Sequence, residues 1–157
     1  MTKFQLKIFL KAAYEISLVF LQFFIIILHF FQWKFIPQKQ IIQVSPFSYF
    51  LGCLIIIIAF TILLVAIKDL GKNLSPFPRP INNSNLVTTG IYRFTRHPMY
   101  YSLVFISFGV FLTKLSIYYL FLSISLGLII KFKIALEEKY LNNKFKNYLL
   151  YKNEVKY

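Results

Sequence analysis

Apolar residues in this chain fall in long unbroken blocks separated by short polar, basic stretches, a pattern that suits neither alternating strands nor the narrow stripe of a soluble amphipathic helix. A helix needs about 20 mainly apolar residues to cross a bilayer. Four blocks meet or approach that length: 12–33, closed by the aromatic belt of Phe30, Phe31 and Trp33; 47–67, free of charge; 99–113; and 115–130, which follows after Lys114 alone. The last two read as a tight helical hairpin that tilts or locally thins the membrane. The segment 131–157 differs, because Phe132, Ala135, Leu136, Tyr140, Leu141, Phe145, Tyr148 and Leu149 recur at threes and fours among lysines. It reads as an amphipathic helix that continues from the fourth span and lies along the interface. The expected fold is therefore an all-α membrane protein of about four transmembrane helices plus a C-terminal interfacial helix, with residues 1–157 forming a single membrane domain.

Composition strengthens that reading. Of the 157 residues 58% are hydrophobic and 20% aromatic, and the mean hydropathy is +0.64. Such values are too apolar for a soluble domain of this size. The net charge of +13 could suggest nucleic acid, but the cations lie between apolar blocks and form no separate face, so no nucleic-acid partner is expected. They mark orientation instead, since lysine and arginine are retained on the cytoplasmic side. With four spans, the N-terminus, the 68–98 loop and the tail share one side and carry 15 of the 18 basic residues, leaving Lys34, Lys39 and Lys114 opposite. Both termini are accordingly expected in the cytoplasm, in what composition suggests is a bacterial inner membrane. The N-terminal block is read as a retained span, because no small-residue cleavage site follows it. Cys53 is the one cysteine, so an intrachain disulfide is excluded. No His/Cys cluster has metal-ligand spacing, and no metal is expected.

The loop 68–98 holds four of the six prolines, an Asn-rich run and Gly90, and is expected to be irregular and turn-rich. It ends in the sequence RHPMYYS. Pro98 suits the first turn of a helix, so the third span begins there, its unpaired N–H groups beside Arg93, Arg96 and His97. That mouth can take a carboxylate or phosphate. A plainer reading makes the arginines interfacial anchors and His97 a cap. Glu137 and Glu138, two of only five acids, stand where the fourth span ends on the same side. Successive helix residues differ by about 100° around the axis. One glutamate can therefore meet an arginine while the other faces a ligand, or either can pair with Lys133 or Lys139 on the surface. Glu15 and His29 lie toward opposite ends of the first span, where snorkelling to the interface is expected. Asp69 is expected to cap or pair near Lys68 and Lys72.

The sequence NLSPFPRP…LVTTGIYRFTRHPMYYS, followed by EEKYLNNKF and YLLYKNEV, resembles the isoprenylcysteine carboxyl methyltransferase and phospholipid methyltransferase family of integral membrane enzymes. Its pattern runs L-V-x-x-G-x-Y-x-x-x-R-H-P-x-Y, then E-E-x-x-L-x-x-x-F-G, then Y-x-x-Y, and the resemblance covers about residues 71–155. It departs at Ile91, where proline is usual, at Ser102 and Lys146, where glycine is, and by one residue before Tyr148. The resemblance implies an S-adenosylmethionine-dependent methyltransferase with a lipid or lipid-like acceptor arriving from the bilayer. By position it assigns Gly90, Tyr92, Arg96, His97, Pro98, Tyr100, Glu137 and Glu138 to the cofactor, with Arg93, His97 and Glu138 catalytic. A carboxylate acceptor would need only a cation, from Arg93, Arg79 or Lys156. An amine acceptor would need a base, His97 or a glutamate. Two other functions fit the same blocks: an NADPH-dependent membrane reductase of the sterol reductase type, which shares an RH-x-x-Y element, and a non-enzymatic membrane subunit.

Overall fold

The computed structural model describes residues 2–31 and 40–156. Trp33 of the expected aromatic belt and Lys34 and Lys39 of the opposite loop lie outside them. The described residues form five helices: α1 (Lys3–Phe30), α2 (Pro46–Leu70), α3 (Pro98–Lys114), α4 (Ile117–Lys144) and α5 (Tyr148–Glu154), with 3-10 turns at Gly71–Asn73 and Gly90–Arg93. Helix starts follow local chemistry. Thr2 and Gln5 close a capping box on α1, and Ser45 with Ser48 does the same on α2, whose first residue is Pro46. Ser116 caps α4 by accepting the Tyr118 N–H. Between α3 and α4 only Leu115 and Ser116 intervene, the former left-handed at φ 44°.

Helix α1, α2 with its 3-10 extension (Pro46–Asn73), and α4 each span 28 residues and are long and apolar enough to cross a membrane. At 17 residues, α3 rises only about 25 Å, a short fourth span enclosed between α2 and α4. The protein is a membrane protein whose outer surface carries exposed Phe20, Ile57 and Phe121 for lipid. The helices alternate up and down: α2 packs on α3, α3 on α4, and α4 on α1.

Apolar side chains gain little by leaving lipid for a helix interface, so close backbone approach and internal polar bonds hold such bundles together. Both are present. Gly52 and Gly109 lie where α2 crosses α3, and a Cβ on Gly109 would sit 2.9 Å from the Gly52 carbonyl oxygen. The core beneath is Ile25, Tyr119, Leu122, Leu126 and Ile130. Through it runs a polar chain: His29 Nδ1 lies 2.8 Å from the Ile25 carbonyl and Nε2 2.8 Å from Ser107 Oγ, which lies 2.9 Å from Ser123 Oγ. His29 therefore turns inward, contrary to the snorkelling expected, because Ser107 on α3 offers a partner that lipid does not. Glu15 is buried too, accepting from Arg79 and from the Tyr140 hydroxyl.

The tail departs from a single amphipathic helix over 131–157. Helix α4 continues unbroken through Lys144, the chain bends at Phe145, and α5 folds back with Tyr148, Tyr151 and Val155 packed on Leu86, Leu141 and Phe145.

Candidate active site

The loop between α2 and α3 is irregular, as its prolines require, and it is tied down along its length. Gly90 has φ 62°, a left-handed conformation that favours glycine. Beside it the Asp69 carboxylate accepts the Ile91 N–H at 2.8 Å, close enough that a Cβ on Gly90 would collide with it. Asp69 thus holds the turn rather than pairing with Lys68 or Lys72; no ion pair to either is present among the described residues. Lys133, buried on α4, donates to Gln22 of α1 and, at 3.0 Å, to the Pro76 carbonyl. Lys144 donates to the carbonyls of Ile81 and Asn82 and to Ser84 Oγ. Each lysine reaches a loop carbonyl that would otherwise need water.

The two glutamates at the end of α4 part company. Glu138 is clamped: its Oε1 accepts from Arg96 Nη2 at 2.8 Å and Nε at 3.0 Å, its Oε2 from Lys152 Nζ at 2.6 Å, and His97 Nε2 lies 3.4 Å away. Arg96 also donates through Nη1 to the carbonyls of Lys152 and Val155. One carboxylate and one guanidinium therefore lock the start of α3, the end of α4 and α5 together, in the charge-assisted geometry that is strongest for arginine. Tyr151 completes the lock, its hydroxyl donating to the Tyr92 carbonyl at 2.6 Å. Burial pushes the Tyr151 phenol up to about 12, so that donor keeps its proton.

One step around the helix, Glu137 faces a narrow cleft of about 80 Å³, together with Tyr92, Arg96, Phe77, Phe145 and Tyr148. No ion pair within 4 Å reaches Glu137 among the described residues. The charges of His97 and Lys133 act on it, and the Tyr100 hydroxyl is its hydrogen-bond donor. Burial, then the Glu137 charge, pushes the Tyr92 phenol up. Tyr148 is almost wholly buried, and its hydroxyl has no hydrogen-bond partner among the described residues. An unclamped carboxylate, an orphaned hydroxyl and several aromatic faces form a site able to hold a small guest that carries hydrogen-bond donors and a flat ring.

Of the residues singled out by sequence, Arg79, Tyr92, Arg96 and Glu137 line the cleft. His97 is 4% exposed and stacks on Tyr100, with ring centroids 5.8 Å apart. As residue N-cap of α3 it makes no side-chain capping bond, so its ring serves the glutamate pair instead. Pro98 opens α3 and is buried, and Gly90 shapes the turn behind Tyr92. Arg93 is not brought in. It lies exposed over the Phe94 ring at 4.9 Å and borders a separate groove with Thr88 and Glu154. Sequence reasoning passed over Phe77, Phe145 and Tyr148 as cleft walls. Tyr148 carried a signal, the Y-x-x-Y element it forms with Tyr151, whereas Phe77 had only its place among prolines.

The phospholipid methyltransferase family model matches residues 47–148, which run from the start of α2 to the start of α5 and include all four of the cleft's sequence-predicted residues. The chain belongs to the phospholipid methyltransferase family. No curated protein and no solved structure matches it. Membership makes methyl transfer the general activity. Helix α1 lies outside the matched region.

Proposed function

We propose that the protein is an S-adenosylmethionine-dependent methyltransferase that acts on a membrane-embedded or lipid-linked acceptor, either an amine or an isoprenylcysteine-type carboxylate. The observation that carries this is the pairing of a clamped Glu138 with an unclamped Glu137 in an aromatic cleft. S-adenosylmethionine would supply an electrophilic methyl group on a sulfonium. Methyl transfer from such a donor is an in-line displacement that needs alignment and exclusion of water more than covalent chemistry. Glu137 suits the role of accepting hydrogen bonds from an ammonium or ribose hydroxyls, and Tyr92, Phe77, Phe145 and Tyr148 offer faces to an adenine. Arg96 is a positioning residue here, because its donors hold Glu138 and the tail carbonyls. An ammonium acceptor must shed a proton before its lone pair can attack, and Glu137 is the carboxylate in the cleft that can take it. A carboxylate acceptor skips that step. The excess of lysine and arginine at this end of the bundle supports a cytoplasmic cleft, with both termini on the cytoplasmic side of the membrane.

Calorimetric titration of the detergent-purified chain tests the reading. S-adenosylmethionine binds the native chain, and Glu137→Gln lowers its affinity about 10- to 100-fold, as loss of a charged hydrogen-bond acceptor predicts, while helical content is unchanged. Equal affinity in the variant refutes the assignment. Thermal stabilisation by NADPH instead of S-adenosylmethionine would favour a reductase.

A further inference from the structure

Among the described residues, α1 contributes none to the lining of the cleft, yet its inner face carries two buried polar side chains that packing alone does not require. Glu15, Leu18, Gln22 and Ile25 form that face, and the seven residues from Glu15 to Gln22 make nearly two turns, so both polar groups point the same way. Apolar residues join helices in a bilayer at no such cost, and an ionisable group kept inside marks a specific task. Both side chains reach the Ser75–Pro80 stretch. Gln22 Oε1 accepts from the Lys133 ammonium, which also donates to the Pro76 carbonyl at 3.0 Å. Glu15 Oε1 accepts from Arg79 Nη2 at 3.2 Å and from the Tyr140 hydroxyl. Lys133 is 1% exposed and has no ion pair within 4 Å among the described residues. With two of its three N–H donors on Gln22 and Pro76, it is a bracket joining α1, α4 and the loop. Ser75, Phe77, Arg79 and Pro80 border a groove shared with Ala12, Glu15 and Ile16 of α1, and the same four line the cleft that holds Glu137. A single layer of chain therefore stands between α1 and the cleft.

We propose that α1 is a strap for the cleft, with Gln22 and Glu15 as positioning residues that set the Ser75–Pro80 wall through Lys133 and Arg79. Affinity for the guest then depends on a helix that does not touch it. The inference rests on the proposed use of S-adenosylmethionine for what fills the cleft, and adds to it the part of the chain that shapes the wall. Pro76, Pro78 and Pro80 lack N–H donors, so no helical or strand ladder can hold this stretch and side chains from elsewhere must. Ordering Phe77 before a guest arrives removes a cost that binding would otherwise meet. The Tyr100 ring, whose centre lies 5.1 Å from Lys133 Nζ, carries the hydroxyl that donates to Glu137, so the bracket steadies the cleft carboxylate as well as the wall.

Hydrogen exchange and calorimetric titration of the full detergent-purified chain test the strap together. Gln22→Leu nearly keeps the side-chain volume but leaves Lys133 short of an acceptor. It speeds exchange across residues 75–81 and weakens S-adenosylmethionine binding about five- to tenfold, while exchange around the Gly52–Gly109 crossing is unchanged. Gln22→Glu keeps an oxygen for Lys133 and restores both readings, whereas a role in packing alone would favour leucine and be harmed by glutamate. Glu15→Gln weakens the hold on Arg79 but keeps an acceptor for Tyr140; it gives a smaller change of the same kind and keeps the test decisive should Gln22→Leu disturb the fold. Unchanged exchange over 75–81 in both Gln22→Leu and Glu15→Gln overturns the proposal. So does faster exchange there with unaltered affinity, loosening spread equally through α2 and α3, or failure of Gln22→Glu to restore either reading. Absence of S-adenosylmethionine binding to the native chain would refute the proposed function, and the exchange readings alone would then decide the strap.

Discussion

Glu137 and Glu138 show how much one residue of helix rotation decides. Adjacent positions on α4 point about 100° apart, so one carboxylate meets Arg96, Lys152 and His97 while its neighbour is left to the cleft. Glu138 serves the architecture of the site. Glu138→Gln leaves Arg96 with a neutral partner and is expected to loosen α5 by about 1–3 kcal/mol, seen as faster hydrogen exchange across Tyr148–Val155; unchanged protection there would show that the clamp does not hold the tail. Gly90 offers a second residue-scale test. At φ 62° and against Asp69, Gly90→Ala carries at least the roughly 1–2 kcal/mol of a left-handed alanine and lowers the thermal midpoint in detergent. The sequence made both glutamates, Tyr92 and Arg96 legible, since scarce acids and a patterned arginine stand out in so apolar a chain. It could not tell which glutamate faces the cleft, because that depends on the azimuth at which α4 packs. For the same reason Arg93, three residues from Arg96, looked equivalent and proved to point elsewhere.

At the scale of elements, α2 and α3 form the most extensive contact in the bundle, and it is built on the absence of side chains at Gly52 and Gly109. A Cβ on Gly109 would lie 2.7 Å from Ile56 Cγ1 and 2.9 Å from the Gly52 carbonyl oxygen. Gly109→Ala is expected to force the helices apart, at about 1–3 kcal/mol, with thermal unfolding in detergent as the measure; a neutral result would mean that the crossing is looser than the geometry shown. The apolar blocks announced three long helices and a shorter fourth, and Pro98 announced where α3 begins. The break at Phe145 was hidden, because the apolar period of the tail runs through it and the reversal is caused by distant partners, Leu86 and the Arg96 donors. The inward turn of His29 was hidden likewise, since Ser107 is 78 residues away.

Taken whole, the molecule is an up-and-down bundle that gathers its candidate site at one end. Lys133, Lys144 and Asp69 direct their charge to backbone groups of the α2–α3 loop, so an otherwise irregular proline-rich segment becomes a fixed wall of the cleft. The charge asymmetry of the sequence indicated which loops gather at that end, but the wall itself arises from contacts made by α1 and α4 that no local pattern encodes. The central claim is that the arginine–histidine–proline entry of α3, the twin glutamates of α4 and the Tyr148–Tyr151 helix enclose one cofactor. Ultraviolet crosslinking of methyl-labelled S-adenosylmethionine to the purified chain, followed by mapping of the labelled peptides, tests it most directly. Saturable label confined to the peptides carrying Phe77, Tyr92 and Phe145–Tyr148, and absent from Glu137→Gln, is the expected result; label on α1 or near Gly52, or none that unlabelled cofactor competes away, would contradict the account.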